Sequence, residues 1–184
     1  FAADRHFYAY LSEHLASHGL TVASVEHSGS NVTAITSVAS DVLNARPSRI
    51  LPASEFIDRP RDISFVLDRL ERLNQHSYSL KHRINTEQVL LIGHSLGGYT
   101  GLALAGAPLN LKNLEKSCYG GAILPLSPAD WLQCAALDLP QKAITDISDD
   151  RITRLLVMNP LTGHLFSAED LNQVKVPTLM LASS

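Results

Sequence analysis

The chain has 184 residues, of which 45% are hydrophobic and 18% charged, with a formal net charge of −3 and a sequence pI near 6.2. That suffices for one domain around one sizeable core, and the mild acidity leaves no electrostatic footprint for nucleic acid or an anionic membrane surface. No apolar run approaches the roughly 20 residues that span a bilayer, and the amino end carries neither the charged nor the apolar region of a signal peptide.

Residues 4–18 predict an amphipathic helix: Phe7, Leu11 and Leu15 recur at four-residue steps, Asp4 suits its start and Gly19 its end. Residues 20–25 are β-branched and alternating enough to predict a core strand, with 26–31 as the loop at its end. A short helix over 37–45 and a connection interrupted by Pro47 and Pro52 follow. The clearest helical pattern covers 60–73, where Ile63, Val66, Leu67, Leu70 and Leu73 share one face and Asp58 and Pro60 suit the first turn.

The most informative segment comes next. An apolar run, Val89-Leu90-Leu91-Ile92, leads into Gly93-His94-Ser95-Leu96-Gly97 and then Gly98. This predicts a buried strand, a sharp turn at Ser95 and a helix over 96–105, the arrangement called a nucleophile elbow. Gly93 and Gly97 flank the serine because side chains there would collide with the neighbouring strand and helix. Ser95 Oγ is then exposed at the carboxyl end of the sheet, and the Leu96 N–H, at a helix N-terminus, is placed to donate to an oxyanion.

Residues 107–150 break into Pro, Gly and short apolar pieces, with one helix predicted over 129–136. As an insertion after the elbow helix they would lie over the site edge. Ile123, Leu124, Leu126, Trp131 and Leu132 either form a lid or acyl pocket or pack against the core. Cys118 and Cys134, the two cysteines, either staple this insertion in an exported protein or are buried thiols in a cytosolic one, and localisation stays open with them. No paired Cys or His spacing completes a zinc site, and no metal is expected. Strands are predicted over 154–158 and 178–181. Strands alternating with helices imply an α/β fold, a mostly parallel sheet with helices on both faces.

A serine hydroxyl needs a base within hydrogen-bond reach. Of the eight histidines, His94 is expected to point away from Ser95, His6, His14 and His18 share the first helix, and His76 and His82 sit in a polar connection. His27 and His164 follow predicted strands. His27 either shapes the site or is a satisfied structural histidine, and His164, near Glu169 and Asp170, is the in-chain alternative for a base.

These stretches together resemble the dienelactone-hydrolase-like and platelet-activating-factor-acetylhydrolase-like group of bacterial α/β-hydrolases. The similar segments are Asp4-Arg5-His6-Phe7, Glu26-His27 with Gly29-Ser30-Asn31, Asp58-Arg59-Pro60 with Asp62-Ile63, Gly93 to Tyr99, Asn159-Pro160 and Val176-Pro177. The resemblance runs nearly end to end. It implies one α/β-hydrolase domain over 1–184, truncated at both ends, with a lid-like insertion over 107–150. It implies a serine carboxylic-ester hydrolase acting on short-acyl esters, possible lipid esters included, through an acyl-enzyme on Ser95.

By the same resemblance Phe1 matches the residue whose backbone N–H completes the oxyanion hole with Leu96, and the acid and base histidine fall beyond Ser184. In the eukaryotic platelet-activating-factor acetylhydrolases the acid follows the strand that here is 154–158, where this chain has Asn159. An amide cannot stabilise an imidazolium as a carboxylate does. His27, Trp131 and Leu161 are the candidate substrate-binding residues, and no cofactor is implied. The rival expectation is a catalytically incomplete remnant with a binding role or none.

Overall fold

A computed structural model describes residues 4–37, 51–119, 128–140 and 146–183. Phe1, most of the helix expected over 37–45, the trio Ile123, Leu124 and Leu126, and the side chain of Trp131 lie outside the described residues. In chain order the elements are α1 (Ala9–Ser17), α2 (Val32–Ser37), α3 (Glu55–His76), β1 (Val89–His94), α4 (Leu96–Leu104), α5 (Leu111–Tyr119), α6 (Pro128–Cys134) with a 3₁₀ turn (Ala135–Asp138), β2 (Ile152–Met158), α7 (Ala168–Leu171) and β3 (Thr178–Leu181).

The strands form one parallel three-stranded sheet in the order β1-β2-β3, so the described residues make a small mixed α/β domain. Val89 and Leu91 turn their side chains to α3 and α4, where Leu67, Leu104 and Ile152 form a buried cluster with Ile63 and Leu70. Side chains alternate across a strand, so His94 faces the opposite side, and there it reaches Tyr8 at the start of α1. Helices therefore flank β1 on both faces. The main core gathers Tyr99, Leu102, Leu155, Val157, Leu165 and Phe166 between α4 and β2. An ionic clasp ties α3 to the start of β2: Arg151 donates to Asp149, Asp68 and Glu71.

Several expectations are corrected. Residues 20–25 form no strand; 21–27 are irregular, and 21–26 make no backbone hydrogen bond with the described residues. Strand structure needs a ladder partner, and none of the described residues supplies one. The first helix begins at Ala9 rather than residue 4, because Asp4 Oδ1 instead accepts the His6 N–H at 2.7 Å and closes a local turn. Gly19 ends it at φ +85°, as its lack of Cβ allows.

The long helix starts at Glu55, which puts Pro60 inside it rather than in its first turn. Proline has no N–H, so the Phe56 carbonyl four residues earlier loses its helical donor. Tyr99 Oη–H supplies the replacement at 2.6 Å. Cys118 and Cys134 are bonded, Sγ–Sγ 2.07 Å, tying α5 to α6. Of the insertion's described apolar residues, Leu114 and Leu139 are buried in the main core and Leu132 packs against it.

Candidate active site

Ser95 occupies the junction of β1 and α4 at φ +53° and ψ −117°, a backbone conformation L-residues rarely adopt. The surrounding backbone holds it there. Its N–H donates to the Met158 carbonyl at 2.9 Å, and its carbonyl accepts from Gly98, Tyr99 and Leu161. The turn is as tight as the glycines require: a Cβ on Gly93 would run into the carbonyl of Gly97, and one on Gly98 would lie 2.7 Å from Pro160 Cβ. α4 is buried along nearly its whole length, so the turn is set on a rigid support.

At the N-terminus of α4, the Leu96 N–H makes no backbone hydrogen bond among the described residues. It is one of the helix's orphan donors, and the helix dipole favours negative charge there. Leu161, expected as a substrate-binding residue, has its side chain buried in the core, 5% exposed; its amide is the donor to Ser95. Trp131 lies on α6, within the insertion.

No described histidine hydrogen-bonds Ser95 Oγ. His94 Nδ1 lies 3.0 Å from Tyr8 Oη, and partial burial lowers its pKa while raising that of Tyr8. His14 and His18 are exposed and in contact with each other. His164 does not meet Asp170 or Glu169: its Nε2 sits 3.1 Å from Asp130 Oδ1. Asp170 is already engaged, accepting from Ser167 N–H in a capping box and from Asn110 Nδ2. Asn159, at φ +40°, is spent on structure as well; its Oδ1 accepts the Ser183 N–H at 2.6 Å and its own N–H donates to Leu181.

His27 is buried, with Nδ1 2.7 Å from Asp62 Oδ2. Burial, reinforced by the Arg59 charge, holds its pKa down at about 4 against the opposing pull of Asp62, so the imidazole is neutral at neutral pH and donates from Nδ1. Beside it, Arg59 is 3% exposed and donates to Ser30 Oγ at 2.6 Å and Thr100 Oγ1 at 3.2 Å. Glu55 completes this buried polar patch, with Oε2 making no hydrogen bond among the described residues.

Sequence patterning did not single out Arg59, Ser30, Thr100 or Glu55 as one network. The one signal available is Pro60, which leaves the Phe56 carbonyl without its helical donor and so calls for a donor from a neighbouring element. Among the described residues no group of three or more His, Cys, Asp or Glu is placed to hold a metal, and no helix is long and apolar enough to cross a membrane. The chain matches no family model, no curated protein and no solved structure.

Proposed function

We propose that the protein is a serine carboxylic-ester hydrolase of α/β-hydrolase type. Ser95 Oγ attacks the ester carbonyl while a base takes its proton. The Leu96 N–H, with Phe1 as the second donor, holds the oxyanion; the alcohol leaves with the proton, and water then releases the acid from the acyl-serine. The base histidine and its carboxylate are contributed by chain beyond Ser184. The substrate is a small short-acyl ester, the lipid ester type included. No metal or organic cofactor takes part.

The observation that supports this reading is the strained Ser95 backbone, φ +53°, between a strand and a buried helix whose first amide makes no backbone hydrogen bond among the described residues. Strain of this kind persists where the surroundings over-determine it, and such sites cluster at active centres. Fluorophosphonate labelling of the gene-length protein tests it. Labelling at Ser95, lost in Ser95→Ala, with p-nitrophenyl acetate hydrolysed faster than p-nitrophenyl palmitate, is the expected result. Labelling that survives the substitution rejects the nucleophile.

A second reading is a hydrolase-shaped remnant without turnover, favoured by the absence of any described histidine on Ser95 Oγ. A gene-length protein that neither labels nor hydrolyses any p-nitrophenyl ester would establish it.

A further inference from the structure

The Arg59 guanidinium is 3% exposed, and among the described residues its hydrogen bonds go to two neutral hydroxyls rather than to a carboxylate: Nη1 donates to Ser30 Oγ at 2.6 Å and Nε to Thr100 Oγ1 at 3.2 Å. Taking a charge out of water is costly, and a buried arginine is ordinarily offset by a bonded carboxylate. Here Asp62 is bound to His27 instead, and Glu55 Oε2 makes no hydrogen bond among the described residues. Burial accordingly pulls the Arg59 pKa down to about 10 against the opposing charges of Glu55 and Asp62, and the group stays charged at neutral pH. A positive charge is thus left incompletely balanced inside the fold.

The Thr100 hydroxyl passes that polarity on. It accepts from Arg59 and donates to the Leu96 carbonyl, one turn earlier in α4, at 2.9 Å. This carbonyl belongs to the planar Leu96–Gly97 peptide unit, the first of the elbow helix, so its position orients the turn that carries the Leu96 and Gly97 amides. Neither amide makes a backbone hydrogen bond among the described residues, as the first donors of a helix do not. Hydrogen bonds in a chain polarise one another, and the relay therefore adds to the helix dipole at the end where an oxyanion would sit. Thr100 is also 3% exposed, which keeps water from screening the relay. Arg59, Thr100 and Gly97 border the same cleft of about 740 Å³ beside β1.

We propose that Arg59 and Thr100 are positioning residues for the reaction at Ser95: through the chain from Arg59 Nε–H to Thr100 Oγ1–H to the Leu96 carbonyl they hold and polarise the first turn of the elbow helix, whose Leu96 amide receives the oxyanion. This role rests on the hydrolase reading. Neither side chain touches substrate. The charge acts on the transition state more than on the bound ester, because only there does the carbonyl oxygen become anionic. A purely structural tie between α3 and α4 would not need the charge, since well-packed apolar side chains of similar volume commonly hold such a contact with no loss of stability.

The test uses the gene-length protein with p-nitrophenyl acetate. Thr100→Val keeps the branched shape and removes the hydroxyl; kcat should fall about tenfold with KM held within about twofold, a smaller loss than the roughly 10²–10³-fold that follows removal of an oxyanion donor itself. Arg59→Met should lower kcat at least as far, and Arg59→Lys, which restores a charge, should recover part of it. A second readout needs no turnover. Leu96–Gly97 is the one Leu-Gly pair in residues 1–184, so carbonyl-¹³C leucine with ¹⁵N glycine marks that peptide. Its carbon and nitrogen resonances should both move upfield in Thr100→Val, and in the same direction in Arg59→Met, because a carbonyl freed of its donor is less polarised. Where Arg59→Met does not fold, Thr100→Val carries both readouts. Resonances that stay in place, or an unchanged kcat in Thr100→Val beside a parent chain that turns over ester, would overturn the role alone. A parent chain that turns over no ester would overturn the hydrolase reading and this role with it.

Discussion

The two edges of β1 are built from the same six residues and behave differently. On the β2 side the ladder runs from Val89 to His94, continues through Ser95 to Met158 and is carried on by β3. On the other side stands a cleft, and beyond it a stretch of chain with apolar content but no ladder. What differs is whether a partner strand is present to convert sequence pattern into structure. Ser95 takes its strain from the paired side, where Met158 and Leu161 fix its backbone. The unpaired side explains why Leu20, Val22 and Leu90 are exposed.

The largest effect expected on the paired side is chemical. In the gene-length protein Ser95→Ala should lower ester turnover by about 10⁶-fold, the loss seen when a triad nucleophile is removed, while the melting temperature stays within a few degrees. A variant keeping more than a tenth of the turnover would remove the elbow from the chemistry. Next in size is Gly93→Ala. The added Cβ meets the Gly97 carbonyl, backbone that cannot swing aside, so the loss should be about 4 kcal/mol in denaturant unfolding. The contrast lies across the molecule at Gly19, where a Cβ meets nothing within 4 Å and only the positive φ opposes it; Gly19→Ala should cost about 1 kcal/mol. Equal costs would mean that the elbow is no tighter than an ordinary helix end.

That same contrast explains what could be read from sequence. The strand–Ser95–helix unit was legible to within two residues because its signals are local: an apolar run, two glycines at fixed offsets and a helix start. The strands at 154–158 and 178–181 were legible for the same reason. The strand at 20–25 carries as good a pattern and failed, since a strand is a property of a pair. The disulfide and the His164–Asp130 contact were also out of reach, because one depends on how α5 meets α6 and the other on how α6 meets the loop after β2, separations that spacing does not constrain. The Phe56 carbonyl was legible in principle, as the orphan any helical proline creates, though not its partner Tyr99.

The described part of the insertion packs in the main core with Leu155 and Val157 of β2, and its covalent tie should be worth less than the elbow glycine. Cys118 and Cys134 are 16 residues apart, and closing a loop of that size restricts the unfolded chain by about 3 kcal/mol. The double variant Cys118→Ser, Cys134→Ser should lose that much in denaturant unfolding and become insensitive to dithiothreitol. A loss under about 0.5 kcal/mol would mean that Leu114, Leu132 and Leu139 already hold the insertion to the core without the bond.

The smallest effect belongs to the polar end of the unpaired side. His27 titrates at about 4 in the folded protein and near 6.5 when unfolded, because burial and the Arg59 charge oppose its protonation more than Asp62 favours it. Between those values the unfolded chain binds the extra proton, so stability rises with pH across that window and falls as pH is lowered through it. Below about pH 4 both states are protonated and this contribution stops changing. The loss from pH 7 to pH 4 attributable to His27 is no more than about 3 kcal/mol. His27→Asn keeps a donor facing Asp62 and cannot titrate. Its unfolding free energy should fall less between pH 6.5 and pH 4 than that of the parent chain, with the two curves parallel above pH 7. Parallel curves over the whole range would show that His27 is solvated enough to titrate normally, and that the polar end of the cleft is open to water.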